Sequence, residues 1–133
     1  MTRYLLDTNI VSDLARNPQG KVMQRIRCIG EANIATSVIV TAELLFGAEK
    51  KRSRRLSDQI AVILDAIEVL PFEPPADAVY AVIRAKLEKA GRPVAANDLL
   101  IAAHAVSLGC TLVTDNERDF ARIEGLSSEN WLP

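Results

Sequence analysis

Histidine, cysteine and aromatic residues are scarce in this sequence, and no segment is apolar for long. The 133 residues include 1 His, 2 Cys, 1 Trp, 2 Tyr and 3 Phe. No apolar run approaches the roughly 18 residues of a membrane-spanning helix, and the N-terminus lacks the long apolar segment of a signal peptide. We therefore expect a soluble, cytoplasmic protein without a membrane partner.

The two cysteines, Cys28 and Cys110, lie in apolar segments. In a chain without an export signal, such cysteines are free core residues far more often than disulfide partners. With His104 as the one histidine, the sequence also lacks the repeated Cys and His spacing of a zinc site. We therefore predict two free, buried thiols and no zinc.

An excess of positive charge is missing too. Lys and Arg number 16 and Asp and Glu 17, giving a formal net charge of -1, whereas nucleic-acid-binding proteins are usually basic. However, five of the acids are candidates for one metal site: Asp7, Glu43, Asp98, Asp115 and Asp119. Without them the net charge is -1 - (-5) = +4, so the composition does not exclude a nucleic-acid partner.

The remaining composition, 49% hydrophobic and 25% charged, is typical of globular proteins, and the length suits one domain over residues 1–133. Short apolar runs alternate with segments of helical periodicity, which predicts βαβ units. The predicted strands are residues 4–6, 34–36, 69–72 and 110–114. The predicted fold class is therefore α/β: a single three-layer α/β/α domain with a short, mostly parallel sheet of four or five strands flanked by helices.

Proline, asparagine and glycine mark the ends of the last two long helices. Pro75 suits the first position of a helix that reaches Ala90, with Gly91 as its terminator. Asn97 can cap a helix of residues 98–108 that Gly109 ends.

Two acids follow predicted strands, and ligands of open parallel sheets bind beyond the carboxyl ends of the strands. Asp7 follows the first strand and Asp115 the last. The helix of residues 98–108 and the strand of residues 110–114 are each about 16 Å long. Because they run antiparallel, their matched lengths should bring Asp98 beside Asp115.

Two further acids point to the same edge. Glu43 interrupts an apolar stripe five residues into a helix that begins near Val38, and its side chain should lean towards the helix N-terminus. Asp119 follows Asp115 at i+4 and shares a face with it if residues 116–120 form a helical turn. Clustered carboxylates need a cation, and oxygen ligands without Cys or His favour Mg²⁺ or Mn²⁺.

Several short motifs occur in order along nearly the whole chain. They are Leu6-Asp7-Thr8-Asn9, Glu43 with Phe46-Gly47-Ala48-Glu49, Ile83-Arg84-Ala85, Gly91-Arg92-Pro93, Asn97-Asp98, Ile101-Ala102-Ala103-His104-Ala105, Leu112-Val113-Thr114-Asp115-Asn116, Phe120 and Gly125-Leu126. With these motifs at this spacing, the sequence resembles the PIN-domain ribonucleases, and specifically the VapC toxins of bacterial toxin-antitoxin modules.

The resemblance implies an endoribonuclease that uses Mg²⁺, or Mn²⁺ in its place, and leaves 3′-hydroxyl and 5′-phosphate ends. It also implies a homodimer that is inhibited by a VapB-type antitoxin, in a larger complex that contacts operator DNA through the antitoxin. Gly91-Arg92-Pro93 and the segment of residues 46–49 are similar to those of enteric VapC toxins. This similarity indicates tRNA as the substrate, with the anticodon loop of initiator tRNA as the target.

The resemblance also implies roles for individual residues. The first three acids of the family fall on Asp7, Glu43 and Asp98, as catalytic residues and metal ligands. For the fourth position Asp115, Asn116 and Asp119 compete; Asp115 is preferred and Asp119 is second. The residues expected to orient ligands by hydrogen bonds are Thr8, Asn9, Thr114 and Asn116.

The sequence leaves several alternative functions and residue roles open. A PIN-like module that binds RNA or a protein without cleaving is the alternative function, although all the acids are present. His104 fits a core position better than a general base, and Trp131 should anchor the C-terminal tail. The basic run of residues 50–55 suits a solvated helix junction and an RNA-binding patch equally well. Four other basic residues are similarly undecided: Arg84, Lys86, Arg92 and Arg118.

Overall fold

The computed structural model describes residues 3–132, which form five parallel strands and the helices that connect them. The strands are β1 (Tyr4–Leu6), β2 (Ile34–Ser37), β3 (Glu68–Leu70), β4 (Thr111–Val113) and β5 (Ser128–Glu129). The helices are α1 (Thr8–Arg16), α2 (Lys21–Ile29), α3 (Val38–Lys51), α4 (Arg54–Ala66), α5 (Ala76–Lys89), α6 (Ala96–Leu108) and α7 (Glu117–Phe120), with a 3₁₀ turn at Glu31–Asn33. The predicted α/β class with a parallel sheet is confirmed.

The strand order is β3-β2-β1-β4-β5. The chain moves from β1 through β2 to β3 in one direction and then returns to place β4 on the other side of β1. Because such crossovers are right-handed, this reversal puts the two sets of connecting helices on opposite faces of the sheet. It also creates a switch point between β1 and β4, and ligands of such folds bind at the carboxyl ends of the strands there.

The central strands are buried on both faces, as the apolar composition of β1 and β4 predicts. Leu5 and Leu112 lie opposite each other in the β1–β4 register, and neither is exposed to solvent. The core around them extends into α1 through Ile10 and into α6 through Ile101. This core fixes the two strands whose ends carry Asp7 and Asp115.

Two predicted helix starts are wrong by one or two residues. Helix α5 begins at Ala76, and Pro75 is its cap position and not its first residue. Helix α6 begins at Ala96, with Ala95 at the cap position and no side-chain cap. Asn97 therefore lies inside the first turn, which frees its side chain for another partner.

Cys28 departs from the sequence prediction because it is exposed, whereas Cys110 is buried as expected, and both thiols are free. Cys28 lies in the last turn of α2, of which only Val22 and Ile26 are buried. Among residues 3–132, no helix combines the length and the apolarity needed to cross a membrane.

Candidate active site

Three helices begin at the carboxyl edge of the central strands. Helix α1 follows β1 after one residue, α3 follows β2 directly, and α6 starts there as well because it runs back along β4. The N-terminus of a helix carries partial positive charge and unpaired N–H groups, which favour nearby carboxylates. The local sequence thus builds an edge that tolerates several acids.

Asp7 lies at the centre of this edge, only 5% exposed. One carboxylate oxygen accepts a hydrogen bond from the backbone N–H of Thr8 at 2.7 Å, which caps α1. The other accepts from the Thr114 hydroxyl at 2.7 Å. Burial raises the pKa of Asp7, as do the charges of Glu43 and Asp115, while the two hydrogen bonds act in the opposite direction.

The Thr114 hydroxyl is fully buried, and it also accepts a hydrogen bond from the backbone N–H of Asn116 at 3.0 Å. We expect Thr114→Val to lower the free energy of unfolding by about 1–3 kcal/mol, because it leaves buried polar groups unpaired in a side chain of equal size. Urea unfolding measures this loss. Thr114→Ser, which keeps the hydroxyl, is the control; an equal loss in both variants would mean that the methyl group and not the hydrogen bond matters.

Glu43 reaches the same edge from the second turn of α3 and is half-buried. The Thr8 hydroxyl donates to Oε1 at 2.5 Å, and the Asn97 amide approaches Oε2 at 3.4 Å. Thr8 therefore connects Glu43 to the helix that Asp7 caps. Asn97 was predicted as a helix cap, and its contact with Glu43 is a site feature that the sequence prediction missed.

Asp98 lies in the first turn of α6 and is half-buried. Burial raises its pKa to about 6, and the charges of Asp7, Glu43 and Asp119 act in the same direction. Hydrogen bonds hold the other acids of the edge, but none of those found among residues 3–132 reaches the Asp98 carboxylate. Asp98 is thus the acid whose charge is least compensated.

Asp115 and Asp119 take different positions. Strand β4 ends at Val113, so Asp115 follows it after Thr114; its side chain is exposed and accepts a hydrogen bond from Asn9 at 3.1 Å. Asp119 lies in α7, half-buried, and accepts from Asn116 at 3.1 Å. Of the two, Asp119 is the one whose charge acts on Asp98, whereas Asp115 was predicted to lie beside it. The charge of Asp115 acts on Asp7 instead.

The acids share an edge without closing around a common point. Within residues 3–132, no group of three or more His, Cys, Asp or Glu side chains is close enough to hold a metal ion. The donor set nevertheless suits a hard divalent cation, because the candidate ligands are carboxylate oxygens, with the amide oxygen of Asn116 as one alternative, and the charges of the acids act on one another.

His104 lies away from the acids, as predicted, with 1% of its surface exposed. Its Nδ1 shares a hydrogen bond of 2.8 Å with the hydroxyl of Ser37, which also accepts from the backbone N–H of Ile39 and so caps α3. Burial lowers the pKa of His104. A neutral imidazole therefore supports the start of the helix that carries Glu43.

Trp131 and Arg84, two further residues discussed in the sequence analysis, form contacts within the fold. Trp131 is buried and donates from its indole to Glu129 at 3.0 Å, so it anchors the tail as predicted. Arg84 forms an ion pair with Glu88 on α5 at 2.8 Å. Lys86, Arg92 and Arg118 are exposed.

Comparison with known proteins matches the family model "PIN domain" to residues 4–126. The tRNA(fMet)-specific endonuclease VapC of Shigella flexneri is 37% identical, over 98% of this chain and 99% of that protein. Ribonuclease VapC2 of Haemophilus influenzae is 38% identical, over 99% of this chain and 100% of that protein.

Structural comparison finds the same family. VapBC2 from Rickettsia felis, bound to a DNA fragment from its promoter, has a chain that superposes with a TM-score of 0.91 and 34% identity, covering 98% of this chain and 99% of that one. DNA-bound VapBC from Salmonella typhimurium gives 0.87 and 34%, with coverage of 98% and 99%. The chain therefore belongs to the PIN-domain family and, within it, to the VapC ribonucleases.

Proposed function

We propose that this chain is a divalent-cation-dependent endoribonuclease toxin that cleaves tRNA and is neutralised by a VapB-type antitoxin. The observation that carries the proposal is the acidic edge at the β1–β4 switch point, where burial and three neighbouring carboxylates raise the pKa of Asp98 to about 6. Neutral residues there would be more stable when no cation is bound, so this repulsion favours a site that binds one.

Mg²⁺, or Mn²⁺ in its place, is the cation that this donor set fits. Asp7 and Asp98 would hold it together with one further acid, and Glu43 would bind through water or at a second ion. When bound, the cation polarises the scissile phosphate and lowers the pKa of an attacking water. The hydroxyls of Thr8 and Thr114 donate hydrogen bonds to the carboxylates of Glu43 and Asp7 and so restrict their orientation.

Asp119 is the stronger candidate for the further acid. Its charge acts on Asp98, and Asn116 holds its carboxylate towards the edge. Asp115 is exposed and acts on Asp7. We expect Asp119→Asn to reduce cleavage by at least about tenfold more than Asp115→Asn does, because loss of a ligand costs more than loss of a group that orients one. Cleavage rates of the two variants at saturating Mn²⁺ measure the difference. Equal rates would contradict the assignment of Asp119, and not Asp115, as the ligand.

The proposed substrate is initiator tRNA, cut in its anticodon loop. Relatives of similar length include enzymes named for tRNA(fMet), and whole-length similarity at this identity supports the same class of RNA here. The proposed partner is a VapB-type antitoxin, since structural neighbours at high TM-score are VapBC complexes. An antitoxin that presents Arg or Lys to the acids would relieve the same repulsion as the metal does.

We expect the purified chain to cleave initiator tRNA with Mg²⁺ or Mn²⁺ and to have no activity in EDTA. Sequencing of the RNA ends identifies the cleaved bond, and restored cleavage after Mn²⁺ addition shows that chelation did not unfold the protein. Cleavage that persists in EDTA contradicts the metal dependence. RNA binding without cleavage under every metal condition would instead support the non-catalytic alternative.

A further inference from the structure

One face of α3 carries three different side chains in sequence from the acidic edge outward. Glu43, Phe46 and Lys50 are spaced i, i+3 and i+7, so they lie on one side of the helix. At 1.5 Å per residue, Lys50 is about 10.5 Å along the axis from Glu43. We call Phe46 together with residues 50–55 the α3 track.

Phe46 is unusual among the aromatic side chains of this protein. It is 67% exposed, whereas the other aromatic side chains of the described chain are buried or half-buried. A phenyl ring in this position contributes little to the core. An exposed aromatic face next to a charged site is well suited to stack on a base, since base–aromatic stacking tolerates any base.

Residues 50–55 continue the track with positive charge. Five of these six residues are Lys or Arg, and all five are exposed: Lys50, Lys51, Arg52, Arg54 and Arg55. None of the ion pairs found among residues 3–132 uses them. Their charge is therefore available to an external anion.

Arg52 has a strained backbone conformation. It ends α3 in the left-handed conformation, with φ of 50°, and is the one non-glycine residue with positive φ in the described chain. Glycine takes this conformation without strain and is common at the end of a helix. An arginine there keeps a charge at the cost of backbone strain.

We propose that the α3 track binds the RNA strand that flanks the scissile phosphate, with Phe46 stacked on a base and the cations of residues 50–55 on successive phosphates. The span of about 10.5 Å corresponds to about three nucleotides at ~3.4 Å each. This inference rests on the proposed ribonuclease function and deepens it. Of the two interpretations of residues 50–55, it favours the RNA-binding patch over the solvated helix junction.

Charge complementarity favours RNA over a protein partner on this surface. Five cations within six residues match a regular polyanion, and they lie beside an acidic edge that repels phosphate when no metal ion is bound, so they add affinity for RNA where the edge does not. Val38 and Leu45 are also exposed on α3, at 41% and 54%. Leu45 lies on another side of the helix from Glu43, which makes it a matched control for Phe46.

The test measures RNA binding and cleavage separately. In the Asp98→Asn background, fluorescence anisotropy gives the Kd for an anticodon stem-loop of initiator tRNA. Relative to this background, we expect Phe46→Ala to weaken RNA binding by about tenfold. Phe46→Trp, which keeps an aromatic ring, and Leu45→Ala should both leave the Kd nearly unchanged. In the active enzyme, Phe46→Ala should raise KM more than it lowers kcat.

Charge variants test the second half of the track. Lys50→Gln with Lys51→Gln should lower the slope of log Kd against log salt by about 1–2, whereas Lys21→Gln on α2, also exposed, should leave it unchanged. Arg52→Gly should raise the Tm while weakening RNA binding, because it relieves strain and removes charge.

The outcomes separate the inference from the function on which it rests. Equal weakening by Leu45→Ala and Phe46→Ala, or an unchanged salt slope, overturns the track. Variants that keep RNA affinity but lose a co-expressed antitoxin assign this surface to the protein partner and also overturn it. If the unaltered chain neither binds nor cuts the stem-loop, the proposed function is wrong, and the inference about the α3 track is wrong with it.

Discussion

The Asp98→Asn variant is expected to lose at least about 100-fold of RNA cleavage while remaining folded. A bound divalent cation supplies several kcal/mol of stabilisation to the transition state of a phosphodiester, and each 1.36 kcal/mol is a factor of ten in rate. Asparagine preserves the shape of the side chain but removes the charge that would bind the proposed cation. Single-turnover cleavage of initiator tRNA in Mn²⁺ measures the loss, and circular dichroism verifies the fold.

Asp77→Asn provides a matched control for that result. Asp77 occupies the first turn of α5 as Asp98 occupies the first turn of α6, but it is exposed and outside the acidic edge. Its variant should cleave at the original rate. If Asp98→Asn also retains that rate, Asp98 is a structural acid and the proposed metal site is wrong.

The same substitution is expected to raise the Tm of the metal-free protein at neutral pH. Burial raises the pKa of Asp98, and the charges of Asp7, Glu43 and Asp119 act in the same direction. Since the pKa is raised from 3.8 to about 6, the folded state binds more protons than the unfolded chain between these values. Stability from this group is therefore lost as the pH rises from about 4 to about 6.

Acid titration of the whole protein does not isolate this effect. The pKa of the buried His104 is lowered, so the unfolded chain takes up the proton first and acidification destabilises the fold through this residue. The contributions of Asp98 and His104 to the pH dependence of stability have opposite signs. The informative quantity is therefore the Tm of Asp98→Asn minus the Tm of the unaltered chain, which should grow as the pH rises from 4 to 7 in EDTA.

Mn²⁺ should reverse the loss in the unaltered chain. A ligand at a hundred times its Kd stabilises the native state by about 2.7 kcal/mol, and a variant that cannot bind it gains nothing. Asp77→Asn should instead leave the Tm nearly unchanged, because Asp77 is exposed and lies outside the acidic edge. A Tm for Asp98→Asn below that of the unaltered chain in EDTA, with equal stabilisation of both by Mn²⁺, would identify the acid as a helix-capping group.

The arrangement of the sheet and the position of Asp7 could be predicted because both depend on local pattern. Apolar strands directly followed by Asp or Thr, with helices between them, place those residues at one edge of a parallel sheet whatever the details of packing. Strand β5 could not be predicted in this way. It has two residues, Ser128 and Glu129, and its pairing with β4 depends on the fold around it.

The finer geometry of the site also depends on tertiary contacts. The matched lengths of the helix and the strand correctly predicted that α6 begins at the carboxyl edge of β4. However, the turn after Val113 directs Asp115 outward to Asn9, and α7 brings Asp119 towards Asp98. Asn97 reaches Glu43 because α6 starts earlier than its cap signals indicate. Cys28 is exposed because α2 buries only one narrow side.

The acids at the edge come from positions 7, 43, 98 and 119, so the first and last are separated by nearly the full described chain. Contacts between such distant segments form late in folding, after the loops between them have closed. A ribosome must therefore release most of the chain before β4 can pair with β1 and the acidic edge can form. Any activity that depends on this edge would therefore begin only when synthesis of the chain is nearly finished.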